Sequence, residues 1–132
     1  MWAFDGSEQS LKALDCLSWW PKGSLDLKVL TVLKGPALNE LGDAVEFAPD
    51  EVAAAQRRFD ELKPRLAEMG VAMTAEILSG DAAEVVSAYA RGVGANFILA
   101  GRRGLNLAQR MLLGSVSSSL LKHASCPVLL VR

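Results

Sequence analysis

The sequence predicts an α/β fold in which a doubly wound, five-stranded parallel sheet carries helices on both faces. Three observations predict it. Short apolar segments alternate along the chain with longer segments of helical periodicity. The segments at residues 27–33, 97–100 and 127–131 are rich in aliphatic residues, which is typical of parallel strands buried on both faces. Enough residues for a crossover helix separate each strand from the next, so a three-layer sandwich is expected.

The first half of the chain predicts two strands and two helices. Residues 2–4 predict a short first strand, and Ser7 is expected to cap the helix that follows. Residues 27–33 predict the second strand. A long helix is expected over residues 49–69, where apolar residues recur at steps of three and four. Pro64 lies inside this pattern and is expected to kink or split the helix.

The second half of the chain predicts three strands separated by two helices. Residues 71–78 alternate polar and apolar and predict a third strand that is less deeply buried than the others. Asp81, after a Ser-Gly turn, is expected to cap the third helix. Residues 97–100 predict the fourth strand, residues 101–122 a loop and a helix, and residues 127–131 a fifth strand at the sheet edge. In such sheets, ligands bind at the carboxyl ends of the strands where the strand order reverses.

The composition limits the classes of protein and ligand that fit. A length of 132 residues with 51% apolar residues predicts one domain over residues 1–132. The 14 basic and 15 acidic residues give a net charge of −1, so no nucleic acid partner is expected. No apolar stretch is long enough to span a bilayer, and no membrane association is expected. Cys16 and Cys126 lack metal-ligand or CxxC spacing and are expected to be buried thiols of a cytoplasmic protein.

The segment after the fourth strand has the features of a phosphate site. Gly101 and Gly104 allow the backbone to turn sharply and to approach a ligand without a Cβ in the way. Gly114 and Ser115 open a new helix, and the first amides of a helix have no partner within it. Those amides and the helix dipole favour an anion, for which Ser115 and Ser117 add hydroxyl donors. Three nearby residues supply positive charge: Arg102, Arg103 and Arg110.

The spacing Gly-x-x-Gly-x9-Gly-Ser, from Gly101 to Ser115, resembles the ATP-binding pattern of the universal stress protein family. Other segments resemble the same family: residues 4–7, 79–81, 95–101 and 123–132. The resemblance implies a Rossmann-like fold of the adenine nucleotide alpha-hydrolase type. It also implies a stress-response protein whose ligand is ATP, ADP or AMP.

The resemblance implies a role for each matching residue. Asp5 would bond the adenosine part of the nucleotide, and Val32 would contact adenine through its backbone. Gly101 and Gly104 would line the ribose and the phosphates. Four residues would hold the phosphate chain: Gly114, Ser115, Val116 and Ser117. Magnesium (Mg2+) is expected to be held through the phosphates rather than by protein carboxylates, as is common in such sites.

The family likeness also implies a homodimer that pairs through the strand at residues 128–131, because an apolar edge strand can recruit a second one. Two functions fit such a dimer. The first is a nucleotide-dependent regulator acting on a protein partner that the sequence does not identify. The alternative is a nucleotide-independent dimeric scaffold of the same fold. Enzymatic activity is expected to be at most slow ATP hydrolysis, because no Glu, Asp or His is placed to orient a water molecule.

Simpler structural roles stay open for several of these residues. Gly101 and Gly104 fit ordinary turn glycines that end a strand. Ser115 fits a helix cap, and Asp5 fits the first residue of a turn. Val32 is apolar and would lie in the core in either case. The residue types alone therefore do not separate a binding site from a structural junction.

Two departures from the family pattern and three further residues complete the expectations. Only four residues precede Asp5, which predicts a short central strand or a natural start upstream. Asn96 stands where an acidic residue is usual, which is expected to affect a turn more than the site. Trp19 and Trp20 are expected to cover the edge of the core. His123 is expected at the end of a helix, where a cation suits the dipole.

Overall fold

One parallel sheet runs through the part of the chain that the computed structural model describes, residues 1–35, 49–102 and 113–132. In these residues the strands are β1 (Trp2–Ala3), β2 (Asp26–Lys34), β3 (Ala72–Gly80), β4 (Ile98–Gly101) and β5 (Val128–Val131). They lie in the order β3-β2-β1-β4-β5, and each neighbouring pair is parallel. The predicted five-stranded parallel sheet is confirmed.

The helices of the described residues alternate with these strands. They are α1 (Glu8–Leu11), α2 (Ala13–Leu17), α3 (Pro49–Glu68), α4 (Ala82–Gly92) and α5 (Ser115–His123). The single helix expected after β1 is two short helices that meet at Lys12. Ser7 is the N-cap of α1 and accepts a hydrogen bond from the amide of Ser10, as expected. Asp81 likewise caps α4, accepting from two backbone amides.

Helix α3 continues through Pro64, so the expected split does not occur. Proline removes one backbone donor and crowds the preceding turn, which destabilises a helix interior. Here the residues on either side of it, Leu62 and Leu66, are buried against the sheet while Pro64 is exposed. Tertiary packing of this apolar face stabilises the helix enough to keep it continuous.

Two hydrophobic clusters lie on opposite faces of the sheet. The first lies between the sheet and helices α1, α2 and α3, and its most buried members include Trp2, Leu17, Val29, Phe59 and Leu66. The second lies under α4 and α5 and includes Leu30, Val86, Ile98 and Leu120. Alternate residues of the central strands enter alternate clusters because successive side chains of a strand point to opposite faces. The sheet is therefore covered on both sides, as the apolar strands predict.

The strand order reverses between β1 and β4. The chain proceeds from β1 through β2 to β3 at one edge, and then crosses to β4 and β5 on the other side of β1. β1 is thus the short central strand that was expected. β3 and β5 form the two edges, which explains why β3 alternates between exposed and half-buried residues along its length. Its pairing with β2 extends to Gly80, so the turn expected at residues 79–81 starts later, at Asp81.

The predicted positions of the aromatic, cysteine and histidine residues are confirmed in part. Trp20 stacks on Phe97 with ring centroids 5.2 Å apart and an interplanar angle of 9°. The expectation for Trp19 is wrong: it is 71% exposed, because α2 ends at Leu17 and only Trp20 takes the place against Phe97. Cys16 is buried as expected, whereas Cys126 is half-buried, and both are free thiols. His123 ends α5, as expected.

Candidate functional site

The carboxyl ends of β1 and β4 lie side by side at the point where the strand order reverses. Ala3 pairs in register with Ala100, so Asp5 and Arg102 follow their strands at the same level. In open α/β sheets a crevice forms at this point, because the connections from the two strands leave in opposite directions. Asp5 and Gly101 therefore lie at the carboxyl ends of the two strands between which such a crevice is expected.

A pair of hydrogen bonds ties the end of β4 to the start of α5. The amide of Gly114 donates to the carbonyl oxygen of Arg102 at 3.0 Å, and the hydroxyl of Ser117 donates to the same oxygen at 2.7 Å. Ser117 Oγ also lies 3.1 Å from the carbonyl oxygen of Gly114, so its one proton serves either acceptor. Ser117 is only 3% exposed. Its hydroxyl is thus part of the junction between strand and helix.

The first turn of α5 has no side-chain cap. Gly114 is the N-cap with φ −73° and ψ 159°, and α5 begins at Ser115. The alternative role of Ser115 as the cap is therefore wrong, because the cap position belongs to the residue before it. The amides of Ser115, Val116 and Ser117 are the first three of the helix and have no partner within it. No acidic side chain lies in this turn, and the positive end of the helix dipole favours an anion there.

Arg102, whose carbonyl oxygen accepts from Gly114, also carries an unsatisfied side-chain donor. Its Nε atom is buried and has no hydrogen-bond partner among the residues that the structure describes. A buried donor without a partner costs about 1–3 kcal/mol, and more when it is charged. An anion that reached this atom would remove that cost and gain a charge-assisted bond. The residues present therefore fit a phosphate group.

On the other side of the crevice, Asp5 starts a tight turn. Its Oδ1 atom accepts a hydrogen bond from the amide of Ser7 at 2.9 Å. Gly6 lies between them with φ +78°, a left-handed conformation that glycine adopts without a Cβ penalty. The turn role that the sequence left open for Asp5 is confirmed. The carboxylate is half-buried and has a second oxygen, so this bond does not preclude contact with a ligand.

Thr31 is a residue of this edge that the sequence reasoning missed. Its hydroxyl donates a 2.7 Å hydrogen bond to the carbonyl oxygen of Phe4, and it is 4% exposed. The bond joins β2 to the residue just before Asp5. A threonine between aliphatic neighbours on both sides, Leu30 and Val32, was the signal, because a buried hydroxyl requires a partner. The next residue, Val32, is half-buried in the second hydrophobic cluster, near the carboxyl end of β2.

The structure thus brings most of the predicted residues to one edge of the sheet. Gly101 ends β4, and four predicted residues lie in the first turn of α5 or cap it: Gly114, Ser115, Val116 and Ser117. Asp5 follows β1, and Val32 lies two residues before the end of β2. Gly104, with Arg103 and Arg110, lies outside the described residues. The binding roles of all these residues stay predictions.

Metal-binding clusters and membrane-spanning helices would indicate other functions. Within residues 1–35, 49–102 and 113–132, no group of three or more His, Cys, Asp or Glu side chains could hold a metal ion. None of the helices in the same ranges has the length and apolar character to cross a membrane.

Comparison with sequences identifies the family. The model of the universal stress protein family matches residues 1–132. The universal stress protein YxiE of Bacillus subtilis (strain 168) is 30% identical over 141 residues, in an alignment that covers 98% of this chain and 95% of YxiE.

Comparison with solved structures gives the same fold. The hypothetical protein MJ0577 is similar with a TM-score of 0.82 and 23% identity, over 98% of this chain and 91% of that chain. A universal stress protein in complex with cAMP gives a TM-score of 0.74 and 23% identity, over 99% and 94% of the two chains. The universal stress protein family protein At3g01520 of Arabidopsis thaliana, with AMP bound, gives a TM-score of 0.64 and 20% identity, over 92% of this chain and 76% of that chain.

These structural likenesses, all below 25% identity, agree with the sheet order and the two helical layers described above. The family model extends over the whole chain, and the alignment with YxiE covers nearly all of both proteins. The chain therefore belongs to the universal stress protein family.

Proposed function

We propose that this protein binds ATP in the crevice between β1 and β4 and acts in the cytoplasm as a nucleotide-dependent regulator of the stress response. The observation that supports the proposal is the first turn of α5, which has no side-chain cap, together with the buried Nε of Arg102, which has no partner among the described residues. Amides and a cation that lack internal acceptors suit a polyphosphate. Adenine nucleotides in two family structures, AMP in one and cAMP in the other, support the nucleotide class.

The proposed complex uses the two sides of the crevice for different parts of the nucleotide. The free oxygen of Asp5 accepts from the adenosine part, and the backbone of Val32 contacts adenine. Gly101 and Gly104 let the chain pass close to the ribose and phosphates. Four residues hold the phosphate chain, mainly through backbone amides: Gly114, Ser115, Val116 and Ser117. Bound ATP carries Mg2+ on its phosphate oxygens.

The geometry refines the role of Ser117 in this proposal. Its hydroxyl proton already has two acceptors, the carbonyl oxygens of Arg102 and Gly114. Ser117 therefore contributes its amide to the phosphates, while the exposed Ser115 is free to offer a hydroxyl. Loss of the Ser115 hydroxyl should weaken nucleotide binding, and loss of the Ser117 hydroxyl should act mainly on stability.

A titration with a fluorescent ATP analogue tests the proposal. The wild-type protein is expected to bind saturably with Kd below about 1 mM. Gly114→Ala should weaken binding at least about tenfold and Gly114→Val should abolish it, because φ −73° is accessible to residues with a Cβ and the added side chain would stand where the phosphate is proposed to approach. The matched control is Gly92→Ala, since a Cβ there meets nothing within 4 Å. Retained affinity in Gly114→Val would overturn the proposed phosphate position.

A second candidate function is a scaffold that needs no nucleotide. The observation that favours it is that Asp5 and Ser117 already have internal hydrogen-bond partners at the predicted site. In that case the wild-type titration shows no saturable binding below the millimolar range. Mass spectrometry of small molecules released from the purified protein then decides whether ATP, ADP, AMP or none of them accompanies the protein.

We also propose that residues 1–132 form one domain that dimerises by pairing β5 with β5 of a second copy. The carbonyls of Pro127 and Val131 accept hydrogen bonds from β4, so the amides of Val128 and Leu130 point away from it. Among the described strands, none pairs with that side of β5. Sedimentation is expected to give a dimer at micromolar concentration. Leu130→Pro removes one outward amide and should give a folded monomer by circular dichroism; a wild-type monomer would refute the pairing.

A further inference from the structure

A groove between α1 and α3 lies on the sheet face opposite α5 and has a volume of about 220 Å³. Its floor is apolar and is formed by Phe4, Leu11 and Leu62. Two arginines of α3, Arg58 and Arg65, line it as well. We propose that this α1–α3 groove binds a small organic carboxylate whose apolar body is about the size of a benzene ring. The site is independent of the nucleotide proposal, which concerns the crevice between β1 and β4.

The spacing of the arginines places both on the groove side of α3. Arg58, Leu62 and Arg65 stand at positions i, i+4 and i+7, which share one face of a helix. The backbone positions of Arg58 and Arg65 are about 10 Å apart along the helix axis, at 1.5 Å per residue. The two guanidinium groups therefore flank an apolar floor. A ligand with a carboxylate and an apolar body fits this arrangement, because the carboxylate can contact a guanidinium group while the apolar body packs on the floor.

The guanidinium groups of the α1–α3 groove are available to a ligand. Within the described residues, neither Arg58 nor Arg65 forms an ion pair or a side-chain hydrogen bond. Glu61 also lines the groove, but it makes no ion pair with either arginine among those residues. The net charge of these three side chains is +1. Arginine binds a carboxylate through two parallel hydrogen bonds, so the favoured ligand carries that group.

The volume limits the ligand. A cavity of about 150 Å³ holds one benzene molecule, whereas drug-sized ligands occupy pockets of roughly 300–1,000 Å³. The 220 Å³ of the groove lies between these sizes. It therefore suits a single ring or a branched chain of similar bulk with one carboxylate. A nucleotide is too large for it.

Arg58 is held close to the turn that follows β1. A Cβ built on Gly6 would lie 2.7 Å from Nε and 2.8 Å from Cδ of Arg58, so the arginine side chain passes directly over this glycine. Gly6 also lines the groove. A carboxylate on Arg58 would thus be felt by the Gly6 amide, which supplies a local signal for the experiment.

Benzoate is the probe, followed by NMR on the 15N-labelled full chain. Saturable shifts are expected at the Gly6 amide and at the Nε–H groups of Arg58 and Arg65. Arg58→Gln should weaken binding about tenfold, because it removes the charge-assisted hydrogen bonds to the carboxylate, whereas Arg65→Gln removes only a more distant positive charge and should weaken binding by a smaller factor. Glu61→Gln should tighten binding, because it removes a like charge. Added salt should weaken it.

The matched control is Arg57→Gln, because Arg57 is exposed on the same helix and does not line the groove. It should bind benzoate as the wild type does. Benzyl alcohol, with the same ring and no charge, should bind at least about tenfold more weakly. The proposal is overturned by shifts that rise linearly without saturation, by an equal loss in Arg57→Gln, or by equal binding of benzyl alcohol. Circular dichroism of each variant excludes unfolding as the cause.

Discussion

The hydroxyl of Thr31 donates a 2.7 Å hydrogen bond to the carbonyl oxygen of Phe4, and this bond fastens the end of the central strand β1 to its neighbour β2. Both residues are almost fully buried, at 4% and 3% exposure. The Asp5 turn begins at the next residue. The direction in which that turn leaves the sheet therefore depends on a side chain of a different strand.

Thr31→Val should lower the free energy of unfolding by about 1–3 kcal/mol, because it leaves a buried carbonyl without this donor while keeping the side-chain shape. Thr74→Val is the control, since Thr74 is exposed on the edge strand β3 and is expected to change stability by less than about 0.5 kcal/mol. Urea unfolding measures both. Equal costs for the two variants would show that the Thr31 hydroxyl does not stabilise β1.

Ser117→Ala should lower the free energy of unfolding by about 0.5–1.5 kcal/mol relative to Ser119→Ala. Both variants replace serine by alanine on α5 and share the same gain in helix propensity. Of these two serines, only Ser117 donates a side-chain hydrogen bond to a described residue, to the carbonyl oxygen of Arg102. Thermal or urea unfolding gives the difference. If the two variants are equally stable, the hydroxyl does not hold α5 to β4.

Gly6→Ala and Gly23→Ala should each cost about 1–2 kcal/mol, because both glycines have nearly the same left-handed φ, +78° and +77°. A Cβ on Gly23 meets nothing within 4 Å, whereas one on Gly6 meets the flexible end of the Arg58 side chain. Arg58 can move aside, so the two costs should agree within about 0.5 kcal/mol in urea unfolding. Only Gly6→Ala should disturb benzoate binding. A much larger cost for Gly6→Ala would mean that Arg58 is held rigidly.

Tyr89 should ionise well above the usual pH. Burial, followed by the 2.6 Å hydrogen bond from its hydroxyl to Glu76, raises the pKa of Tyr89 from 10.0 to about 12. It is the one tyrosine in the sequence, so phenolate absorbance near 295 nm reports on it alone. Glu76→Gln should lower this pKa towards 10.0, because it removes the charge that opposes ionisation.

The same shift makes the stability pH-dependent. Between pH 10.0 and about 12 the unfolded chain loses the Tyr89 proton while the folded chain keeps it. The contribution to stability is therefore complete below pH 10.0 and falls as the pH rises through that window. Tyr89→Phe should reduce this part of the decline in urea unfolding. An unchanged pH profile in Tyr89→Phe, or a normal titration in the wild type, contradicts the assignment.

The order of strands and helices could be predicted because the apolar segments are short and well separated. Residues 97–100 and 127–131 differ by at most one residue at each end from β4 and β5. The break at Lys12 between α1 and α2 could not be predicted, because no glycine or proline marks it. The exposure of Trp19 depends on where α2 ends, and helix ends are set by packing as much as by residue type.

The candidate site was predictable in part. The glycines and serines around α5 follow a spacing that the sequence displays, and Asp5 follows an apolar strand. The partners of Thr31 and Ser117 depend on which strands become neighbours, and a single sequence does not display this. The groove arginines, Arg58 and Arg65, were also missed, because charged residues on a long helix are usually solvent-exposed.

The backbone hydrogen bond from the Gly114 amide to the Arg102 carbonyl oxygen, 3.0 Å long, holds the start of α5 beside the end of β4. The entropy of bringing two chain positions together grows only with the logarithm of the number of residues between them, so doubling that number costs about 0.6 kcal/mol. With the two ends clamped, segments inserted between them should leave the sheet folded. This position is thus a place where a reporter peptide could be grafted, or where evolution could lengthen the chain, with little loss of stability.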